Sequence, residues 1–199
     1  MKIFIGIALL FSFATELHAA EIVSLRDYQG RAKNLFSLQN MTLGSQDTSM
    51  QKIGKTDAEG LSKYQVQFKN IPVYGMTSIV RVNANQEIDR LHGYAVRGIE
   101  NDVTDVQPTI SEDAAIMAAR NYHENLNPIA TWGYRNLTSA LNIFIDNDNK
   151  AHLAYVVTFF TDTNESGNPA RPVIMVDAHT GKVLRYNNQL NFEVVDATG

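Results

Sequence analysis

"KYQVQFKNIPVYG", residues 63–75, decides how this chain is to be read. It opens with strict alternation: Tyr64, Val66 and Phe68 fall on one face, Lys63, Gln65 and Gln67 on the other. That period of two is the mark of a half-buried strand. Lys69 and Asn70 interrupt it, and Asn70 tolerates the left-handed backbone that a tight hairpin asks for. The return begins with "IPVYG". Pro72 has no N–H to give a ladder, which puts the stretch at an edge or a strand opening. Gly75 permits a bulge or a bend.

Downstream, "TSIVRV" continues the return strand to Val82, "NANQ" turns the chain, and "EIDRLHGYAV" is a further strand-like run. Upstream, residues 21–58 are polar and show no clean period. The best helix lies in "VQPTISEDAAIMAARNYHEN". Pro108 precedes it, Ser111 stands at the N-cap, and Glu112 and Asp113 suit the first turn. Ala115, Ala118, Ala119 and Tyr122 share a face, and Ile110 is placed to staple onto Ala115 across the cap. A second group of strands follows: "LNIFI", a "DNDNK" turn, the long run "AHLAYVVTFF", a polar loop "TDTNESGNPA", then "RPVIMVDA", a tight "HTG" turn and "KVLRY". Strands, one helix and strands again, with turns outnumbering crossovers, predict an α+β fold: two antiparallel β-sheet subdomains, each packed against few helices. The polar "TDVQP" at 104–108 marks the boundary between them.

Composition bounds the rest. The chain has 199 residues, 44% hydrophobic and 19% charged, which is globular material and too apolar for disorder. A net charge of −4 with no basic stripe argues against nucleic acid. The opening "MKIFIGIALLFSFATELHAA" has Lys2, an apolar run from Ile3 to Phe13 and small residues at Ala19 and Ala20. It reads as a secretory signal peptide, cut after Ala19 or Ala20, and its apolar run is too short for a membrane span. A secreted or periplasmic product with no membrane attachment is expected. The chain has no cysteine, so no disulfide framework supports it. Export from a bacterium fits that better than a eukaryotic route, and the sequons at Asn40, Asn136 and Asn164 are then chance.

Catalytic parts are missing from the sequence. The histidines His18, His92, His123, His152 and His179 form no H-E-x-x-H and no paired ligand spacing. They read as solvated or packed imidazoles. There is no G-x-S-x-G elbow and no glycine-rich phosphate loop. "DNDNK", residues 146–150, has the opening of a calcium loop but lacks its glycine and closing glutamate, and it reads as a hairpin turn. No cofactor and no metal are expected, and no enzymatic activity.

Two stretches carry a resemblance. "YQVQFKNIPVYG" resembles the signature of the FTP domain, R-[YF]-Q-Q-x-[YF]-x-G-I-P-V-[YFW]-G. "ISEDAAIMAA", "LAYVVTFF" and "RPVIMVDAHTGKVLRY" together resemble the PepSY domain. FTP followed by PepSY is the prodomain of secreted thermolysin-like zinc metalloproteases, and the resemblance covers about residues 22–195. Asn70 stands where the family has glycine, and Val66 where it has the second glutamine. The resemblance implies a signal peptide at 1–20, an FTP-like subdomain at 21–106, a PepSY-like subdomain at 107–187 and a junction tail at 188–199. It implies a non-catalytic inhibitor and folding assistant whose partner is a thermolysin-like catalytic domain. The tail would lie in the protease cleft, with Asn188, Gln189, Leu190, Asn191 and Phe192 as contact residues. Two other readings stay open: an independent exported PepSY-type binding module, and a truncated zymogen remnant.

Overall fold

The computed structural model describes residues 20–85, 87–126, 128, 132–163 and 169–190. The signal-peptide stretch at 1–19 lies outside them. Along the chain run β1 (Glu21–Ser24), α1 (Leu35–Thr42), β2 (Thr48–Ile53), β3 (Leu61–Phe68), β4 (Ile71–Val82), β5 (Ile88–Arg97), α2 (Glu112–Leu126), β6 (Trp132–Ile145), β7 (Ala151–Thr163), β8 (Pro172–Asp177) and β9 (Val183–Asn188).

The hairpin read from the sequence joins β3 to β4. Lys69 and Asn70 both take positive φ, 48° and 67°, the pair of left-handed residues that a type I′ turn requires. Phe68 and Ile71 close the hairpin, so the neighbouring Gln67–Pro72 pair is a non-hydrogen-bonded one. Pro72 therefore costs the β3 ladder nothing. It is the second residue of β4, a strand opening rather than an edge: β4 pairs with β3 on one side and with β5 and β6 on the other.

Gly75, with φ 74°, lies in a bulge. Register is lost between Gln65–Thr77 and Gln67–Pro72, so Val66 alone spans the run from Val73 to Met76. The side chain of Gln65 fills the gap. Its Nε2 donates to the carbonyls of Val73 at 2.7 Å, Met76 at 3.0 Å and Val66 at 3.0 Å. Val73, turned away from β3, pairs in parallel with Ile143 of β6.

That one bridge makes the sheet continuous. Its order is β1-β5-β4-β6-β7-β8-β9, with β2 and β3 stacked onto β4 off this path. The fold is mainly β, two helices on a curled sheet, in line with the α+β expectation. The two strand groups also share a core: Leu25, Leu38, Phe68 and Val73 belong to the same buried cluster as Ile143, Leu153, Phe159 and Ile174. The linker between the groups is tied in as well, because Thr109 and Ile110 both donate their N–H to the carbonyl of Ala178.

The helices show where the sequence pattern was incomplete. α1 lies in the stretch that has no clean period. Asn34 caps it in a reciprocal box, accepting from the Ser37 N–H at 2.9 Å while Ser37 Oγ accepts from the Asn34 N–H at 3.1 Å. α2 begins as expected at Ser111, whose Oγ accepts from the Ala114 N–H. Its buried face is Ala115, Ala119 and His123, while Ala118 is half-buried and Tyr122 keeps 39% of its surface exposed. The apolar stripe is thus rotated toward His123 rather than Tyr122. β6 starts well before "LNIFI", at Trp132, and carries a bulge at Asn136 and Leu137 where Asn136 adopts φ 51°.

Candidate functional site

β9 is the last of the described strands. Among the described residues β9 pairs with β8 alone, from Val176–Val183 to Pro172–Asn188. Asn188 is the last residue of the strand, and its Oδ1 accepts from the Arg171 N–H at 2.9 Å and from the Leu190 N–H at 3.2 Å. The Gln189 N–H donates to the Arg171 carbonyl at 3.0 Å. Three of the five expected contact residues, Asn188, Gln189 and Leu190, are therefore part of the sheet margin. Asn191 and Phe192 lie outside the described residues.

Behind this strand, α2 packs on the sheet through an aromatic seam. His123 has no exposed surface. Its ring lies 4.7 Å from that of Trp132, 5.6 Å from Phe159 and 6.0 Å from Tyr186, nearly parallel to the last. His123 Nδ1 shares a hydrogen bond with the Tyr186 hydroxyl at 3.2 Å, and Nε2 has no partner among the described residues. Burial pushes His123 below the ordinary histidine value, opposed by Glu124. Tyr186 is raised by burial and then by Tyr122. Beside it, Tyr134 donates to Glu124 and carries Arg120 over its ring at 4.5 Å. Burial, followed by that carboxylate, raises Tyr134 strongly.

At the opposite end of the same sheet, His152 joins two turns. Its Nε2 is 2.8 Å from Asp146 Oδ2 and its Nδ1 is 3.7 Å from Asp177 Oδ2. Asp146 organises the β6–β7 turn by accepting from the N–H groups of Asp148 and Lys150. Asp177 organises the β8–β9 turn by accepting from the Thr180 hydroxyl and the N–H groups of His179 and Thr180. Burial alone would raise both carboxyls. For Asp146 the His152 contact and the turn amides outweigh it, and for Asp177 the Thr180 hydroxyl and the turn amides do, so both sit below the usual carboxylate range. "DNDNK" is thus a hairpin turn held by its own first aspartate. Among the described residues, no three His, Cys, Asp or Glu side chains stand close enough to hold a metal ion.

Sequence reasoning missed two side chains that matter here. His123 follows Ala115 and Ala119 at a spacing of four, and that period places it on the buried stripe. Gln65 alternates as an outward polar residue, and only the bulge turns its amide inward.

No family model matches the chain. It is 27% identical to the neutral protease of Vibrio proteolyticus over 94% of its own length but only 30% of that protein's. It is 26% identical to the hemagglutinin/proteinase of Vibrio cholerae over 92% of its length and 30% of the relative's. It is 30% identical to the virulence metalloprotease of Vibrio anguillarum over 69% of its length and 22% of the relative's. The chain thus spans less than a third of each of these relatives. Among solved structures, the C-terminal domain of Bacillus megaterium YpeB aligns with 73% of this chain and 58% of its own, at a TM-score of 0.35 and 12% identity. Among the described residues no helix is long and apolar enough to cross a membrane.

Proposed function

We propose that this chain is a prodomain-type region of a thermolysin-like metalloprotease, non-catalytic itself, that assists folding of the catalytic domain and then inhibits it. The observation that carries this reading is the lopsided coverage: nearly the whole chain aligns, yet it corresponds to less than a third of the neutral protease and the hemagglutinin/proteinase. The sequence adds no H-E-x-x-H of its own. In this reading residues 21–106 form the FTP-like part, 107–187 the PepSY-like part and 188–199 the junction. The folded body supplies most of the surface, on the order of 1,600 Å² for tight inhibition. The segment beyond Leu190 enters the cleft.

The reading includes export. Ala20 is buried in the core, so we place the cut after Ala19, and the mature chain would begin at Ala20. Mass spectrometry of the exported product checks that assignment.

The decisive experiment titrates purified chain into thermolysin-like catalytic domains and follows both residual peptidase activity and the yield of active enzyme on refolding. Stoichiometric inhibition and a raised refolding yield are expected. Full activity at a large excess of chain, with an unchanged refolding yield, would refute the proposal and favour an independent binding module.

A further inference from the structure

We propose that His123 is an acid-sensitive latch: neutral, it holds the last turn of α2 against β9; on gaining a proton it releases that seam. This inference concerns the chain alone and does not rest on the protease reading.

The geometry gives a second proton nowhere to go. His123 is fully buried between Trp132 of β6, Phe159 of β7 and Tyr186 of β9. One ring nitrogen is used by the Tyr186 hydroxyl, and Nε2 has no partner among the described residues. A neutral imidazole tolerates one unpaired nitrogen at modest cost. An imidazolium would bury a charge together with a donor that lacks an acceptor, which is far more costly. The charged and titratable groups around it do not compensate. α2 contributes Arg120, Tyr122 and Glu124, β6 contributes Tyr134, β9 contributes Tyr186, and β7 sets the uncharged ring of Phe159 against it. Glu124 is the nearest carboxylate and is already engaged by Tyr134, while Arg120 places a positive charge over that same ring.

The direction of the effect follows. Burial, opposed by Glu124, lowers the proton affinity of His123 in the folded state relative to an ordinary histidine near 6.5. The unfolded or opened chain therefore binds the proton more tightly. Stability is full above about pH 6.5 and is lost as pH falls toward the folded value. The seam feels this first because Tyr186, the partner of His123, lies on β9, which among the described residues pairs on one side only.

Trp132 is the single tryptophan and packs edge-on against His123, so its fluorescence reports the ring directly. The test follows purified chain from pH 8 to pH 5 by Trp132 emission, urea unfolding, backbone hydrogen exchange and the imidazole resonances of the native protein. In the wild type the unfolding constant should rise by up to tenfold per pH unit below about 6.5 relative to His123→Phe. Amides of β9 and the last turn of α2 should lose protection before those of β3 and β4. A His123 midpoint at or above 6.5 in the native protein would overturn the proposal. So would identical pH dependence of wild type and His123→Phe, or a uniform loss of protection across the sheet. If His123→Phe does not fold, the wild-type resonance midpoint and exchange pattern decide alone.

Discussion

Gln65→Ala isolates the device that joins the two strand groups. The Gln65 amide donates to the carbonyls of Val66, Val73 and Met76 at 2.7 to 3.0 Å. Two of these acceptors belong to the β4 residues left out of the β3 ladder. Nε2 has two hydrogens, so the substitution removes the equivalent of two good bonds, each worth a net ~0.5–1.5 kcal/mol. The expected loss is about 2 kcal/mol, a sizeable share of the ~5–15 kcal/mol that holds a typical domain. Urea unfolding should show it as a lower midpoint at unchanged slope. Amide exchange should rise first at Val73 and Ile143, whose pairing depends on how the bulge is held. Gln65→Glu sharpens the test. A carboxylate facing carbonyls has its pKa raised by folding, so this variant should be weakest at neutral pH and recover as pH falls and the group becomes a donor. A loss below about 0.5 kcal/mol for Gln65→Ala, or a Gln65→Glu variant that weakens further on acidification, would refute the reasoning.

Other expectations can be checked on the same preparations. Asn70 holds φ 67°, so Asn70→Gly should be neutral or stabilising while Asn70→Val loses about 1–2 kcal/mol in thermal or urea unfolding. A Cβ at Gly93 would lie 2.4 Å from the Thr77 carbonyl oxygen at a φ of 107°, so Gly93→Ala should cost about 3 kcal/mol or more and reduce soluble yield. Asp146 and Asp177 are held below the ordinary value of 3.8; their contribution is full above that value and lost as pH falls through the folded one, and Asp177→Asn should flatten acid unfolding below about pH 4. For the proposed inhibitor role, deleting residues 191–199 should weaken inhibition tenfold or more, about 1.4 kcal/mol, with an unchanged melting temperature. Extending the deletion through Asn188 should lower the melting temperature, because Asn188 and Gln189 bond to Arg171.

The sequence made some elements plain and hid others for physical reasons. The β3–β4 hairpin was legible because alternation, a turn-forming asparagine and a proline all agree locally. The start of α2 was legible because Ser111 and two acids mark it. α1 was hidden: its eight residues are too few for a firm period, and its capping box uses Asn and Ser rather than the Ser/Thr and Glu/Gln pair. The first half of β6 was obscured by the Asn136 bulge, which breaks the alternation. The junction of the two strand groups could not be read at all, since it rests on one parallel pairing between residues far apart in the chain. At the candidate site, the terminal strand was visible but its end was not, because beyond the Pro172–Asn188 pair the margin is held by the Asn188 side chain on Arg171.

The Val73–Ile143 bridge also bears on the order in which the molecule assembles. Nearly every other pairing is a hairpin between consecutive strands; the exceptions are β1–β5 and this one. The first closes within the amino-terminal group, and only the second needs β6. Closing a loop grows costlier by about 0.6 kcal/mol per doubling of its length, so these two steps are the slow ones. A chain emerging amino end first can complete β1 to β5 with the bulged residues of β4 still waiting for a partner. That leaves a short unpaired strand segment exposed until β6 arrives, at the spot where Pro72 withholds an N–H. The proline that seemed out of place in a strand thus denies a mispairing chain one of the ladder hydrogen bonds at that spot.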